Sequence, residues 1–167
     1  MKDILDKISS YNIFNYLLPG VLFVVLSKAL TSYDFSQEDN LLGAFLYYFF
    51  GMIISRFGSI VLEPILKRFQ FVKFRDYSKY ILASKEDNKI ELLSEVNNTY
   101  RTLVSMIVIV LFLKIYNMAS VKYNLDNGVA ASIVSIFVLV LFLFSYKKQT
   151  NFIGKRIDVH GNRGNVA

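Results

Sequence analysis

Cysteine is absent from the 167 residues, and the single histidine, His160, stands in a polar segment near the C-terminus, "GKRIDVHGNRGNVA". The first absence excludes disulfides, thiolate nucleophiles and Cys-ligated metal. The second removes His-based acid–base catalysis and His-rich metal sites. Charge is scarce as well: charged residues make up 19% of the chain against 54% hydrophobic, and the mean hydropathy is +0.40. A soluble domain of this size cannot bury so much apolar surface, so a membrane protein is the first expectation.

Four stretches are long and apolar enough to cross a hydrocarbon core of ~30 Å. They cover roughly 13–30, 41–62, 102–120 and 129–146. None alternates polar and apolar residues as a membrane β-strand would, so the spacing predicts helices. No Asp or Glu falls inside the four stretches, which leaves no proton relay and no carboxylate filter for cations. Two connections are short: "TSYDFSQEDN" (31–40) is acidic, and "VKYNLDNG" (121–128) carries the turn-forming Asp126-Asn127-Gly128. The middle connection, 63–101, is long and charged.

The Lys and Arg residues set the orientation. Of the 19, fifteen lie in the N-terminus (Lys2, Lys7), in the 63–101 connection and in the 147–167 tail, whereas Lys122 alone lies on the opposite side. Both termini and the middle connection are therefore expected in the cytoplasm, the chain being a multi-pass membrane protein. The same distribution accounts for the net charge of +6 through anionic lipid headgroups rather than nucleic acid. Six acids in the middle connection offset most of its positive charge, so direct nucleic-acid binding is not expected. Lys2 and Lys7 resemble a signal-peptide n-region, but Asp3 and Asp6 do not suit one, and three further spans follow. The expected organisation is an N-terminal transmembrane hairpin (1–62), a helical cytoplasmic lobe (63–101), a C-terminal transmembrane hairpin (102–146) and a disordered basic tail (147–167).

Three cations, Lys28, Arg56 and Lys114, lie within the spans. Each is within about one and a half turns of a span end, so each reaches the interface by snorkelling. In the rival reading Lys28 and Arg56 line a conduction path. Span two carries Gly51, Ser55 and Ser59 at intervals of four, a small-residue stripe suited to close helix packing, and Gly128/Ser132 and Ala131/Ser135 form a shorter version in span four. The stripes serve packing within the chain or between chains. In the first span Pro19 deprives the Asn15 carbonyl of its helical partner, and with Gly20 beside it the segment Asn15–Pro19–Gly20 reads as a hinge. Asn15 is expected where water still reaches it, and Tyr11 and Tyr16 in the headgroup belt.

After Glu63-Pro64, "ILKRFQFVKFRDY" mixes Phe and Ile with basic residues. It reads either as a segment lying at the headgroup surface or as a polar extension of span two. Ser84 and Asp87 match a capping box. From there Ile90, Leu93, Asn97, Tyr100, Val104 and Ile107 step by three or four into span three. The pattern predicts one helix from about Lys85 to Met118, reaching about 25 Å below the membrane at 1.5 Å per residue. Arg75, Tyr77, Tyr80, Ile90, Leu93 and Tyr100 together make a candidate docking surface for a soluble partner. No phosphate-binding glycine loop, metal-ligand cluster or nucleophile–base set can be assembled, so neither a cofactor nor enzymatic activity is expected.

The start "KISSYNIFNYLLPGVLF", the four spans and the cytoplasmic "YSKYILASKEDNKIELLSEVNNTYRT" resemble the KwaA-like membrane subunits of the two-component Kiwa anti-phage defence system of bacteria. The resemblance implies a homo-oligomer, a tetramer, in the inner membrane that senses phage attachment or membrane disturbance and holds a soluble KwaB-like partner. It carries no catalytic signature. The expected function is accordingly a non-enzymatic sensor and scaffold, and the alternative is a pore-forming effector that depolarises the infected cell.

Overall fold

The computed structural model describes residues 12–164; Lys2, Lys7 and Tyr11 lie outside them. The described residues form five helices and no strand. α1 is a π-helical turn, Ile13–Leu17, continued by the α-helix Leu18–Leu30. α2 spans Asn40–Arg68 and contains a second π turn, Gly58–Leu62. α3 (Tyr77–Glu86), α4 (Asn88–Tyr123) and α5 (Asn127–Gly164) follow. Three of them, α2, α4 and α5, are long and apolar enough to cross a membrane, and the apolar stretch of α1, Asn15–Leu30, is shorter.

Asp side chains start four of the helices, Asp126 accepting the Gly128 N–H at 2.8 Å at the start of α5. Asp39 accepts the Leu42 N–H at 2.8 Å, Asp76 the Ser78 N–H at 2.9 Å, and Asp87 the Lys89 N–H at 2.9 Å. These contacts satisfy donors that a helix N-terminus leaves open. The caps at Asp76 and Asp87 replace the expected Ser84 capping box. Ser84 is still inside α3, where its hydroxyl donates to the Ile81 carbonyl at 3.2 Å. The C-termini of α2 and α4 close alike. The Phe71 N–H donates to the Leu66 carbonyl and the Leu125 N–H to the Ser120 carbonyl, around Gln70 (φ 57°) and Asn124 (φ 49°) in the left-handed region.

Each proline stands two residues beyond a π turn: Pro19 after Leu17, and Pro64 after Leu62. There the Leu18 N–H reaches back to the Ile13 carbonyl and the Glu63 N–H to the Gly58 carbonyl. A wider turn absorbs the backbone disturbance that a proline imposes. Pro64 therefore does not end α2, and the segment after it begins as the polar extension of that helix, up to Arg68.

The core is built by α1, α2 and α4. Phe23, Val24, Ile54, Met106 and Val110 form its buried centre, and Phe50, Leu103 and Leu113 pack around them. Along α1 the buried residues Asn15, Pro19, Phe23 and Ser27 recur every four positions, which is one face of the helix. The 31–39 connection folds back over this core. Phe35 stacks on Phe23 (5.7 Å) and Tyr33 on Tyr116 (6.4 Å), and Ser32 donates to the Asn117 side chain.

α1 and α2 touch through their backbones. A Cβ on Gly20 would overlap the Tyr47 carbonyl, and one on Gly51 would overlap the Tyr16 carbonyl. The small-residue stripe of α2 thus faces inward, with Gly51, Ser55 and Ser59 all buried.

α5 lies at the side of this core. It meets α2 through Phe142 on Phe49 and Phe137 on Phe57, and α3 through Phe152 on Tyr77 at 4.8 Å. Its helix continues to Gly164, so the tail expected to be disordered is helical over its described part. Once a helix is propagating, each further residue adds a hydrogen bond, and the Phe152 contact holds the extension in place.

The backbone contact at Gly51 has a measurable consequence. Gly51→Ala forces the Tyr16 carbonyl away and should destabilise the purified protein by about 1–3 kcal/mol. Gly154→Ala, where an added Cβ meets nothing within 4 Å, should be neutral or stabilising by up to ~1 kcal/mol. Unfolding of both variants in detergent micelles tests the contrast; equal stabilities would contradict the packing.

Candidate functional site

Two polar clusters interrupt the apolar bundle. The first joins α1, α2 and α4. The Asn15 side-chain amide donates to the Ser55 hydroxyl at 3.4 Å, and the Thr102 hydroxyl lies 2.9 Å from the Asn15 side-chain oxygen and 3.3 Å from Ser55. The same hydroxyl is 2.9 Å from the Asn98 carbonyl, so its one proton is shared among these acceptors. Asn15 is 1% and Thr102 0% exposed, which corrects the expectation that Asn15 is wetted. The α1 stripe points it at α2 and α4, and the neighbouring polar side chains replace water. Interhelical hydrogen bonds of this kind contribute roughly 0.6–2 kcal/mol in a bilayer.

The second cluster lies eight residues further along α2, about 12 Å at 1.5 Å per residue. Glu63 is 7% exposed. Its carboxylate accepts from Lys67 (2.8 Å) and from Arg101 of α4 (2.7 Å), and Lys148 of α5 approaches to 3.5 Å. Lys148 also donates to the Ser59 hydroxyl (2.8 Å) and carbonyl (2.9 Å). Three helices therefore meet at one carboxylate carrying three cations, an excess of positive charge. Both carboxylate oxygens are engaged, so Glu63 acts as a clamp between helices. The Arg101 Nε is buried and has no hydrogen-bond partner among the described residues.

Of the residues singled out from the sequence, Asn15 and Ser55 share the first cluster and Ser59 belongs to the second. Pro19 and Gly20 are buried in α1 one turn beyond Asn15. Ser132 is exposed, and its hydroxyl donates to the Gly128 carbonyl of its own helix; among the described residues no helix covers the α5 stripe. Lys28 is paired with Asp34 of the 31–39 connection at 2.8 Å. The hydrogen bonds from Lys28 and Ser36 hold the Asp34 carboxyl well below the usual carboxylate range. That contribution is complete above the usual carboxylate range and is lost only as pH falls through the lowered value. Arg56 donates to the Tyr16 hydroxyl at 3.0 Å, and Lys114 is exposed on α4. Of the candidate docking residues, Tyr77 is engaged internally, against Phe152 and Tyr80. Tyr80 and Ile90 are half-buried, whereas Arg75, Leu93 and Tyr100 are exposed.

Sequence reasoning missed Glu63, Arg101, Thr102 and Lys148. Glu63 was counted with the soluble connection because the apolar stretch ends one residue before it. The signal that finds it is the four-residue stripe itself, which continues as Gly51, Ser55, Ser59, Glu63 and Lys67. Comparison with protein-family models, with curated proteins and with solved structures finds no match for this chain. Its site stands on its own geometry.

Removing the carboxylate alone would leave Arg101 and Lys148 inside without a counter-charge. Glu63→Gln should therefore destabilise by about 3–5 kcal/mol. Lys67→Gln, whose side chain is 42% exposed, should change stability by no more than about 1 kcal/mol. Denaturant unfolding in micelles reads the difference, and similar values for the two variants would show that Glu63 is not the clamp.

Proposed function

We propose that the chain is a four-span protein of the bacterial inner membrane, α1 crossing beside the three longer helices, with both termini and the 63–101 lobe in the cytoplasm. In this reading it is a non-enzymatic sensor and scaffold in anti-phage defence, of the KwaA-like kind that the sequence resembles. It assembles with copies of itself, as a tetramer if the resemblance holds, and its lobe docks a soluble KwaB-like effector.

The observation that carries the reading is α4. It runs without interruption from Asn88 to Tyr123. Its middle is buried against α1 and α2 at Thr102, Ser105, Met106 and Val110. Before that point it presents Leu92 (60% exposed), Leu93 (65%) and Val96 (42%). Those side chains precede the apolar span, in the part of the helix that the orientation places in water, and an uncovered apolar face in water is the mark of an interaction surface. The same rigid element thus has one end packed in the membrane bundle and the other offered to a partner. A change in helix packing in the membrane would alter the presentation of that face. Phe69, Phe71 and Phe74, exposed in the 69–76 connection, suit an anchor of the lobe at the headgroup level.

Inserting two alanines between Asn97 and Asn98 rotates the lobe end of α4 by about 200° relative to the membrane half, while Arg101 keeps its place beside Glu63. The variant should insert normally but lose phage protection in cells that also carry the soluble partner; full protection would count against coupling through α4. The orientation has its own check, because the native chain has no cysteine. In spheroplasts an impermeant maleimide should label Glu38→Cys at once and Asp158→Cys only after lysis. The reverse pattern would overturn the topology.

A further inference from the structure

A cavity of about 210 Å³ opens between the end of α2 and α4, beside the Glu63 clamp. Leu62, Leu66, Phe71, Phe74 and Val104 form most of its wall, and Glu63 and Arg101 lie at its polar side. We propose that this cavity binds the anionic headgroup of an inner-leaflet phospholipid, with Arg101 and Lys67 taking the phosphate.

Charge points to an anion. One carboxylate is surrounded by Lys67, Arg101 and Lys148, so the cluster keeps positive charge that its own residues do not neutralise. The free donor points the same way. Arg101 spends one terminal N–H on Glu63, while its buried Nε has no partner among the described residues. An unsatisfied buried donor costs about 1–3 kcal/mol, and a phosphate oxygen entering from the cavity supplies the acceptor in the planar geometry that guanidinium favours. Lys67 does not line the cavity but touches two residues that do, its ammonium 4.1 Å from the centroid of the Phe74 ring and 2.8 Å from the Glu63 carboxylate.

The walls identify the phosphate's carrier. A free anion needs no apolar lining, and a lipid does. The cavity is smaller than the ~300–1,000 Å³ of pockets that enclose a whole small molecule, so it takes a headgroup and leaves the acyl chains outside. Phe71, a lining residue that is 79% exposed, gives those chains an apolar path into the bilayer. Basic pockets between helices near the membrane surface are the usual setting for anionic lipid recognition. The inference rests on the chain crossing a membrane and owes nothing to the defence role.

The test uses the full-length protein in detergent, titrated with phosphatidylglycerol, with phosphatidylcholine and with inorganic phosphate, and read by thermal unfolding. Phosphatidylglycerol should raise the unfolding temperature in proportion to its binding, and the other two should not. Lys67→Gln, which keeps the Glu63–Arg101 pair, should weaken the phosphatidylglycerol effect about fivefold, as loss of one near-surface cation contact of ~1 kcal/mol requires. Lys73→Gln, an exposed cation that serves as the control for Lys67, whose ammonium contacts the lining residues Glu63 and Phe74, should leave it unchanged. Native mass spectrometry of the co-purified lipid gives a second readout that does not depend on stability. Equal effects of the two lipids would overturn the proposal, and so would a response to inorganic phosphate alone, which would make this a soluble-anion site. An undiminished effect in Lys67→Gln would overturn it as well. None of these measurements involves phage or partner, so their failure and that of the sensor reading are separable.

Discussion

A carboxylate withdrawn from water at the edge of an apolar bundle must be matched by cations, because an isolated buried ion costs far more than a fold of this size can offset. Glu63 imposes that requirement here, and the arrangement of the long helices follows from it. Lys67 comes from the same helix, Arg101 from α4 and Lys148 from α5. α5 depends on the clamp most. Its buried side chains are few, Leu141 and Ser145 among them, and most of its apolar surface faces outward. Without Lys148 bonded to Ser59 and near Glu63, only these few buried side chains and scattered aromatic contacts would fix its rotation and register.

The two polar clusters are graded in kind along the bundle. The deeper one is neutral, an amide and two hydroxyls, and the ionic one lies near the basic end. That order follows from dielectric. Hydrogen bonds between neutral groups can be satisfied completely in a dry interior, whereas ions are tolerated where long basic side chains can reach toward the headgroups. Each cluster also coincides with a π turn: Asn15 lies in the first, and Ser59 lies in the second with Glu63 directly after it. A π turn carries one residue more than an α turn, and a proline follows each. The backbone is thus irregular at the two places where side chains tie helices together.

Much of this was legible in the residues because the hydrophobic period is long and unbroken. The apolar stretches mark the three long helices, and the steps of three and four from Ile90 to Ile107 mark the continuity of α4 across the point where hydropathy changes. Hydropathy fails where composition and environment part company. Glu63 reads as the first residue of a soluble connection, because a charge ends an apolar window whether or not partners surround it. Two of those partners, Arg101 and Lys148, lie 38 and 85 residues further along the chain, and no local pattern announces them. The Gly- and Asn-containing tail reads as disorder by composition, yet it continues a helix already nucleated. The small-residue stripes of α2 and α5 look alike in sequence; what separates them is whether a helix of the same chain comes to meet them, which is a tertiary fact.

The proposed sensor role places a physical demand on the bundle: a stimulus acts only through contacts that differ between two packings. The α1–α2 interface is a poor candidate for that difference. It is locked by backbone contact at Gly20 and Gly51, and a packed interface of this kind is not continuously deformable. The boundary between α5 and the rest is a better one, since it has little buried apolar area and is held by an ion cluster whose cations outnumber its carboxylate. Ionic contacts can exchange one acceptor for another at modest net cost, as apolar interdigitation cannot. A lipid phosphate offered to Arg101 and Lys67 would share with Glu63 the cations that hold the helices together. The state of the bilayer would then enter the balance that sets how α4 and α5 are joined, and α4 would carry the outcome to Leu92, Leu93 and Val96. In that scheme the clamp joins α4 and α5 to α2 and is also the tie most open to the membrane around it.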